Sequence, residues 1–391
     1  MLPNPYTPGA GLVPSYLAGR NGTISEAKEI ILSIAHGIPT RSVIYYGLRG
    51  VGKTVLLNKI EEIADNYGIL FEHIEVSETS SFKTAISFYI QKLIRQMSTK
   101  EQAKAFLNKT FSILKAFQIT YSPADGEISF GLKDEVSAAV GISDTGNFQN
   151  DLTELFVAMG ILAQKNENAV CLFIDEIQNL KKDELEALIA AIHRVNQKGL
   201  PITMLGAGLS QITKLSGNIK SYAERLFSFI HIDSLQPDSS RLALIEPAKK
   251  FNVIYTEEAV QKIIELTEGY PYFLQEFGKQ VWPFMDNNII NADSVVRARP
   301  LFEKILDDSF FKVRYDRTTP KEREFMVAMV NCGKLPCTIS QVAINMKTNV
   351  PSISPIRAQL INKGLIYSTG HGEIDFTVPQ FKQFLIRTHN L

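Results

Sequence analysis

Gly47-Leu48-Arg49-Gly50-Val51-Gly52-Lys53-Thr54 fits the pattern G-x-x-x-x-G-K-[ST], and its flanks are as informative as the string. Ser42-Val-Ile-Tyr-Tyr46 reads as a buried strand entering it. From Val55 through Ala64, apolar residues recur at helical spacing, so a helix leaves it. Strand, glycine-rich loop and helix in this order make a P-loop. Glycines let the backbone wrap closely, so successive N–H groups point at anionic oxygen. The helix N-terminus adds a favourable dipole. Residues 47–55 are therefore expected to cradle the phosphates of ATP or ADP. Lys53 would reach the β- and γ-phosphates, and the Thr54 hydroxyl would hold Mg2+.

Ala169-Val-Cys-Leu-Phe-Ile174 is an apolar run of strand length that ends in Asp175-Glu176, the form of a Walker B strand. Parallel strands bring their C-terminal ends to one edge of the sheet, where ligands bind. Asp175 is expected to hold Mg2+ and Glu176 to polarise the attacking water. Without the P-loop, the pair would read as an ordinary acidic strand end.

The 391 residues suffice for two or three domains. Lys plus Arg and Asp plus Glu number 41 each, so affinity for nucleic acid would have to come from a local patch. No apolar run reaches membrane-spanning length, and the first residues lack the pattern of a secretory signal. Cys171, Cys332 and Cys337 form neither a disulfide framework nor a zinc set, so a cytoplasmic location is the simplest reading.

Alternation of strands and helices predicts an α/β fold, a P-loop three-layer sandwich with a parallel sheet, over residues 1–235. In it a helix is expected over Ser25–Ala35, a long helical stretch from about Phe82 to Phe117, and a β-hairpin over 118–132. An all-α segment follows over 236–308, broken at Gly269-Tyr-Pro271. Residues 309–391 read as a winged helix-turn-helix domain: helices at 320–331 and 338–346, a third opened by Ser354 and Pro355, then a hairpin around His371. From Phe311 onward there are 11 Lys/Arg against 5 Asp/Glu. Arg357, Gln359, Asn362 and Lys363 would face outward from the third helix towards double-stranded DNA, with His371 at the wing tip. A protein-packing role for the same unit stays open.

These motifs together resemble the AAA+ ATPases, and more narrowly their origin-recognition and initiator-like clade, whose members end in a winged helix. The related STAND group shares several features. The resemblance covers nearly the whole chain. It implies an ATPase, slow or partner-stimulated, that acts as a molecular switch on DNA. It places Gly19 and Arg20 near the adenine and implies that Arg225 is an arginine finger acting in trans within an ATP-dependent homo-oligomer. Glu176, Lys53 and Arg225 would then be the catalytic set. Sensor 1 falls at Thr203–Ser210, where the usual Asn is missing and Ser210 or Gln211 could substitute. In place of a sensor 2 arginine the chain has Gly269-Tyr-Pro271, closer to the G-x-P motif of STAND proteins, with Pro271 at the nucleotide. The STAND likeness implies the rival function: a signalling regulator whose winged helix is an autoinhibitory module released by a protein partner.

Overall fold

A computed structural model describes residues 2–9, 11–77, 79–97, 104–121, 138–139, 141–213 and 223–391. The chain divides into two compact units. One comprises Arg20–Gly47 and Lys53–Ile232; the other comprises Met1–Gly19, Leu48–Gly52 and Asp233–Leu391.

In the first unit, α1 (Asn21–Ala35) leads to β1 (Ser42–Tyr46), α2 (Lys53–Asn66) and β2 (Leu70–Glu75). Then come α3 (Phe82–Gln96), α4 (Lys104–Tyr121), α5 (Phe148–Lys165), β3 (Val170–Asp175), α6 (Lys182–Gln197) and β4 (Ile202–Gly208). A short α7 (Ala223–Leu226) precedes β5 (Phe227–His231). The strands form one parallel sheet in the order β2-β3-β4-β1-β5, as the α/β reading expects. Every residue of β3 and β4 is buried, because helices cover the sheet and parallel strands need apolar residues on both faces. Helix α2 packs on β2, β3 and β4, α6 packs on β4, and α5 lies along α6.

Two sequence expectations fail here. The helical stretch expected from about Phe82 to Phe117 is interrupted, since α3 ends at Gln96 with Met97 in an extended conformation and α4 begins at Lys104. The hairpin expected over 118–132 is not formed in its first part. Gln118–Tyr121 is the last turn of α4, packed through Phe117 and Tyr121 against Phe148, and residues 122–132 lie outside the described residues. Helix α1 also starts earlier than Ser25, at Asn21.

The second unit begins with α8 (Pro237–Lys249), β6 (Ile254–Tyr255), α9 (Glu257–Thr267), α10 (Pro271–Val281), β7 (Ile289–Ile290) and α11 (Ala292–Ile305). Strands β6 and β7 pair in parallel, so this segment is not wholly helical. The N-terminal segment packs within this unit. Tyr6 is 3% exposed, and its hydroxyl lies 2.8 Å from that of Tyr255. A wide-turn (π) helical stretch, Leu306–Phe311, runs into α12 (Lys312–Asp316). Next come α13 (Pro320–Val330), β8 (Cys337–Thr338), α14 (Ile339–Asn345), α15 (Val350–Asn362), β9 (Ile366–Gly370), β10 (Glu373–Phe376) and α16 (Phe381–His389). The three strands form an antiparallel sheet in the order β8-β10-β9.

Helix α15 does not open at Ser354. Its N-cap is Asn349, whose side-chain oxygen accepts from the Ser352 amide at 3.1 Å, and Pro351 sits in the first turn, where no N–H is needed. Pro355 lies inside the helix on an exposed position. The Asn349 cap sets the start five residues before Ser354.

Candidate functional site

β1 ends at Tyr46 and α2 begins at Lys53, so residues 47–52 of the P-loop connect them. Gly50 and Gly52 have φ of +79° and +90°, which a side chain would resist, and this explains glycine at both positions. Lys53 is 8% exposed, and its ammonium donates to the Gly47 carbonyl at 3.2 Å. A cation folded back onto its own loop is placed where an anion held by that loop would meet it.

Thr54 Oγ1 donates to Asp175 Oδ2 at 2.5 Å. Asp175 is 3% exposed, and its other oxygen accepts from the Glu176 amide at 2.8 Å. A carboxylate and a hydroxyl converging at the end of buried strands are the oxygen donors that a hard divalent cation takes, so these two residues fit Mg2+.

Glu176 has φ +51° and ψ +36°, left-handed and unusual for a residue with a side chain. Such a conformation costs on the order of 1–3 kcal/mol and persists where the surroundings impose it. Gln178 holds the carboxylate from one side: its amide nitrogen donates to Glu176 Oε2. The Gln178 oxygen in turn accepts from the Leu209 amide at 2.8 Å, which ties the acidic pair to the end of β4. The Gln178 link was not read from the sequence. A Gln two residues past the acidic pair carries no spacing signal of its own.

Ser210 and Gln211, named for sensor 1, lie half-buried just beyond this β4 contact. Arg225 is exposed on α7 and lines a surface cavity of about 510 Å3 with Arg41, His193 and Gln197, away from Lys53 and Asp175 in sequence and element. Arg20 occupies the N-cap position of α1, without a side-chain cap hydrogen bond.

Within the second unit, the loop tip Leu48–Gly52 meets the Gly269-Tyr-Pro271 segment. The Tyr270 hydroxyl donates to the Arg49 carbonyl, and a Cβ on Gly50 would collide with the Tyr270 ring. Gly269 has φ +67°, and the Leu235 carbonyl occupies the space a Cβ would take. Pro271 is the first residue of α10. Gly19, also left-handed, packs against Ser239 and Leu235.

The residues named for DNA divide. Gln359, Asn362 and His371 are exposed. Lys363 is exposed too, but its ammonium lies 2.7 Å from Glu322 and 3.1 Å from the Arg317 carbonyl. Arg357 is half-buried and donates to Ser368 Oγ at 3.3 Å. Burial works against the charge of Glu322, but Lys363 and Thr319 overcome it and hold this carboxyl below its usual range.

No helix among the described residues is long and apolar enough to cross a membrane. No curated protein matches the chain. Solved structures do. A Walker-type ATPase of Pyrococcus abyssi is 15% identical over 94% of this chain and 96% of that one, with a TM-score of 0.57. The Cdc6p protein of Pyrobaculum aerophilum is 15% identical over 97% of each chain, with a TM-score of 0.49. The Orc1 protein of Aeropyrum pernix, solved in complex with DNA, is 15% identical over 97% and 96%, with a TM-score of 0.47. Residues 308–385 match a family described as a domain of unknown function, DUF8462. Residues 16–205 match the AAA ATPase domain family, a span that includes the P-loop, the acidic strand end and the first half of β4. The part of the chain that carries the P-loop and the acidic strand end, residues 16–205, is thus an AAA ATPase domain.

Proposed function

We propose that this chain is an ATP-binding and ATP-hydrolysing switch of the origin-recognition and initiator-like type, acting on double-stranded DNA through a C-terminal winged helix. The observation that carries the nucleotide chemistry is the Thr54–Asp175 contact, with Lys53 on the same loop and Glu176 one residue on. Thr54 and Asp175 would hold Mg2+, which supplies positive charge for the phosphates. Lys53 would turn from the Gly47 carbonyl to the β- and γ-phosphates. Glu176 would orient the attacking water once Gln178 yields it. Phosphoryl transfer asks mainly for positioning and charge stabilisation, which these groups supply. Arg225, being exposed, is available to a neighbouring copy in an ATP-dependent assembly.

The DNA reading draws on the excess of 11 Lys/Arg over 5 Asp/Glu after Phe310 and on the exposed Gln359, Asn362 and His371. A second reading, a STAND-like regulator with a protein partner, is favoured by one observation. Lys363 and Arg357 are both spent on contacts within their own domain. Fluorescence anisotropy of a labelled duplex with the full chain, in ATP and in ADP across a salt series, tests the choice. The DNA reading expects binding that weakens steeply with salt and differs between the nucleotides. Absence of binding at low salt in both states would reject it in favour of the second reading.

A further inference from the structure

We propose that the free edge of β2 is a docking site for an extended, basic segment of a partner protein, which would add to the sheet as a further strand. This edge lies wholly within the first unit, and its use does not depend on the nucleotide site.

Strand β2 ends the sheet order β2-β3-β4-β1-β5, so only one of its sides is paired. Two bonds fix which groups face outward. The Leu70 amide donates to the Ala169 carbonyl and the Val76 amide to the Asp175 carbonyl, each at 3.0 Å. In a parallel ladder every second residue bonds to the neighbour, so Leu70, Glu72, Ile74 and Val76 serve β3. The backbone N–H and C=O groups of Phe71, His73 and Glu75 therefore point away from the sheet. Among the described residues none of these outward groups has a hydrogen-bond partner. Natural edges are closed by proline, a bulge or a free lysine. Strand β2 has no proline, and its register with β3 runs unbroken over six residue pairs. Lys92, which reaches it from α3, is held on Glu72 at 2.8 Å.

The edge also opens into a groove. A cavity of about 600 Å3 has residues 69–73 as its floor, with Asp65 of α2 and with Tyr89, Lys92 and Gln96 of α3 as its walls. The two helices stand on opposite faces of the strand. His73 bonds to Glu61 of α2, whereas its neighbour Glu72 bonds to Lys92 and Gln96 of α3. Five consecutive strand residues along one cavity make a backbone-lined slot about 17 Å long, the shape of another strand. Charge selects the occupant. Glu61 and Glu72 are paired with His73 and Lys92. Asp65 and Glu75 are exposed and, among the described residues, have no ion-pair partner. Two uncompensated carboxylates complement lysine or arginine on the incoming segment. Backbone pairing supplies the affinity and the side chains the selectivity when a peptide joins a sheet edge.

The test uses the full chain and two capped, fluorescein-labelled peptides, Lys-Val-Lys-Val-Thr-Val-Lys-Val-Lys and the same sequence with Glu for Lys. Anisotropy should show the lysine peptide binding about tenfold or more tightly, since two exposed charge pairs turn from attraction to repulsion in the other. The double variant Asp65→Lys, Glu75→Lys should reverse this preference. Both positions are exposed, so its melting temperature should match that of the parent. Residue-resolved hydrogen exchange reads the backbone contact. Saturating lysine peptide should slow the amides of Phe71, His73 and Glu75 by about tenfold or more, and leave those of Leu70, Glu72 and Ile74, already bonded to β3, nearly unchanged. Equal binding of the two peptides, no binding by the lysine peptide, or binding that leaves the three outward amides unprotected would overturn the proposal. So would protection of those amides without peptide that is lost on dilution, together with a dimer in light scattering, because a second copy would then occupy the edge.

Discussion

Thr54 Oγ1 and Asp175 Oδ2 share a 2.5 Å hydrogen bond, joining the first turn of α2 to the last residue of β3. The contact exists because β3 and β1 are parallel in one sheet, two positions apart, so both elements present these residues at the same edge. Thr54 and Asp175 would hold Mg2+ through a hydroxyl and a carboxylate oxygen, the donors such a cation takes. Asp175→Asn should therefore lose roughly tenfold or more of the Mg2+-dependent part of ATP affinity, as one charged ligand is neutralised. Affinity measured in excess chelator should change little. An identical response to Mg2+ in parent and variant would remove Asp175 from the cation site.

Glu176→Gln separates binding from chemistry. The amide keeps the size of the side chain but loses the carboxylate, and the left-handed backbone at this position is left as it is. Nucleotide affinity should hold while phosphate release falls by about 100-fold or more. Release at the parent rate would show that another group orients the water.

Arg225 is exposed on α7, so its loss should leave nucleotide affinity of the isolated chain unchanged. Phosphate release by an ATP-induced assembly should fall. Mixing Arg225→Ala with Glu176→Gln should restore part of it, because a hybrid interface can join an intact Glu176 to an intact Arg225. A strictly monomeric ATP-bound state in light scattering, with no rescue, would contradict a trans role.

The Lys363–Glu322 pair makes an acid-stability prediction. Glu322 titrates lower in the folded state than in the unfolded chain, so it contributes stability above its unfolded pKa and loses it as pH falls through the folded value. Lys363→Met leaves the buried carboxylate with the Thr319 cap alone, a loss of about 1–3 kcal/mol at neutral pH. Lowering the pH towards the ordinary carboxylate range should narrow the gap in melting temperature between parent and variant, since protonation removes the unpaired charge. A gap that stays constant from pH 7 to about pH 4 would show that the pair carries no linkage.

The legible parts of this chain were those that local spacing specifies. The P-loop residues and the Asp175-Glu176 pair are set by backbone geometry over a few positions, so the string alone places them. The parallel sheet followed from alternating apolar runs such as Val170–Ile174. What was not legible depends on partners distant in sequence. Met97 ends a helix whose apolar periodicity gives no stop signal, and Gln118–Tyr121 stays helical because Phe117 and Tyr121 pack on Phe148. Lys363 is an outward cation, as its helix position suggests, but its bond to Glu322, 41 residues earlier, could not be read from local spacing. Tyr270 did carry a signal, an aromatic residue set between Gly269 and Pro271.

The central claim is that the loop from Gly47 to Thr54 holds a nucleotide through Lys53. Calorimetric titration of Mg2+–ATP into the full chain and into Lys53→Ala tests it most directly. The ammonium now resting on the Gly47 carbonyl would be lost, and with it a charge-assisted contact to the phosphates worth at least about tenfold in affinity. The account predicts saturable binding by the parent and a loss of tenfold or more in the variant, with the unliganded melting temperatures close to each other. Equal ATP affinity in both proteins, or no binding by the parent, would contradict it.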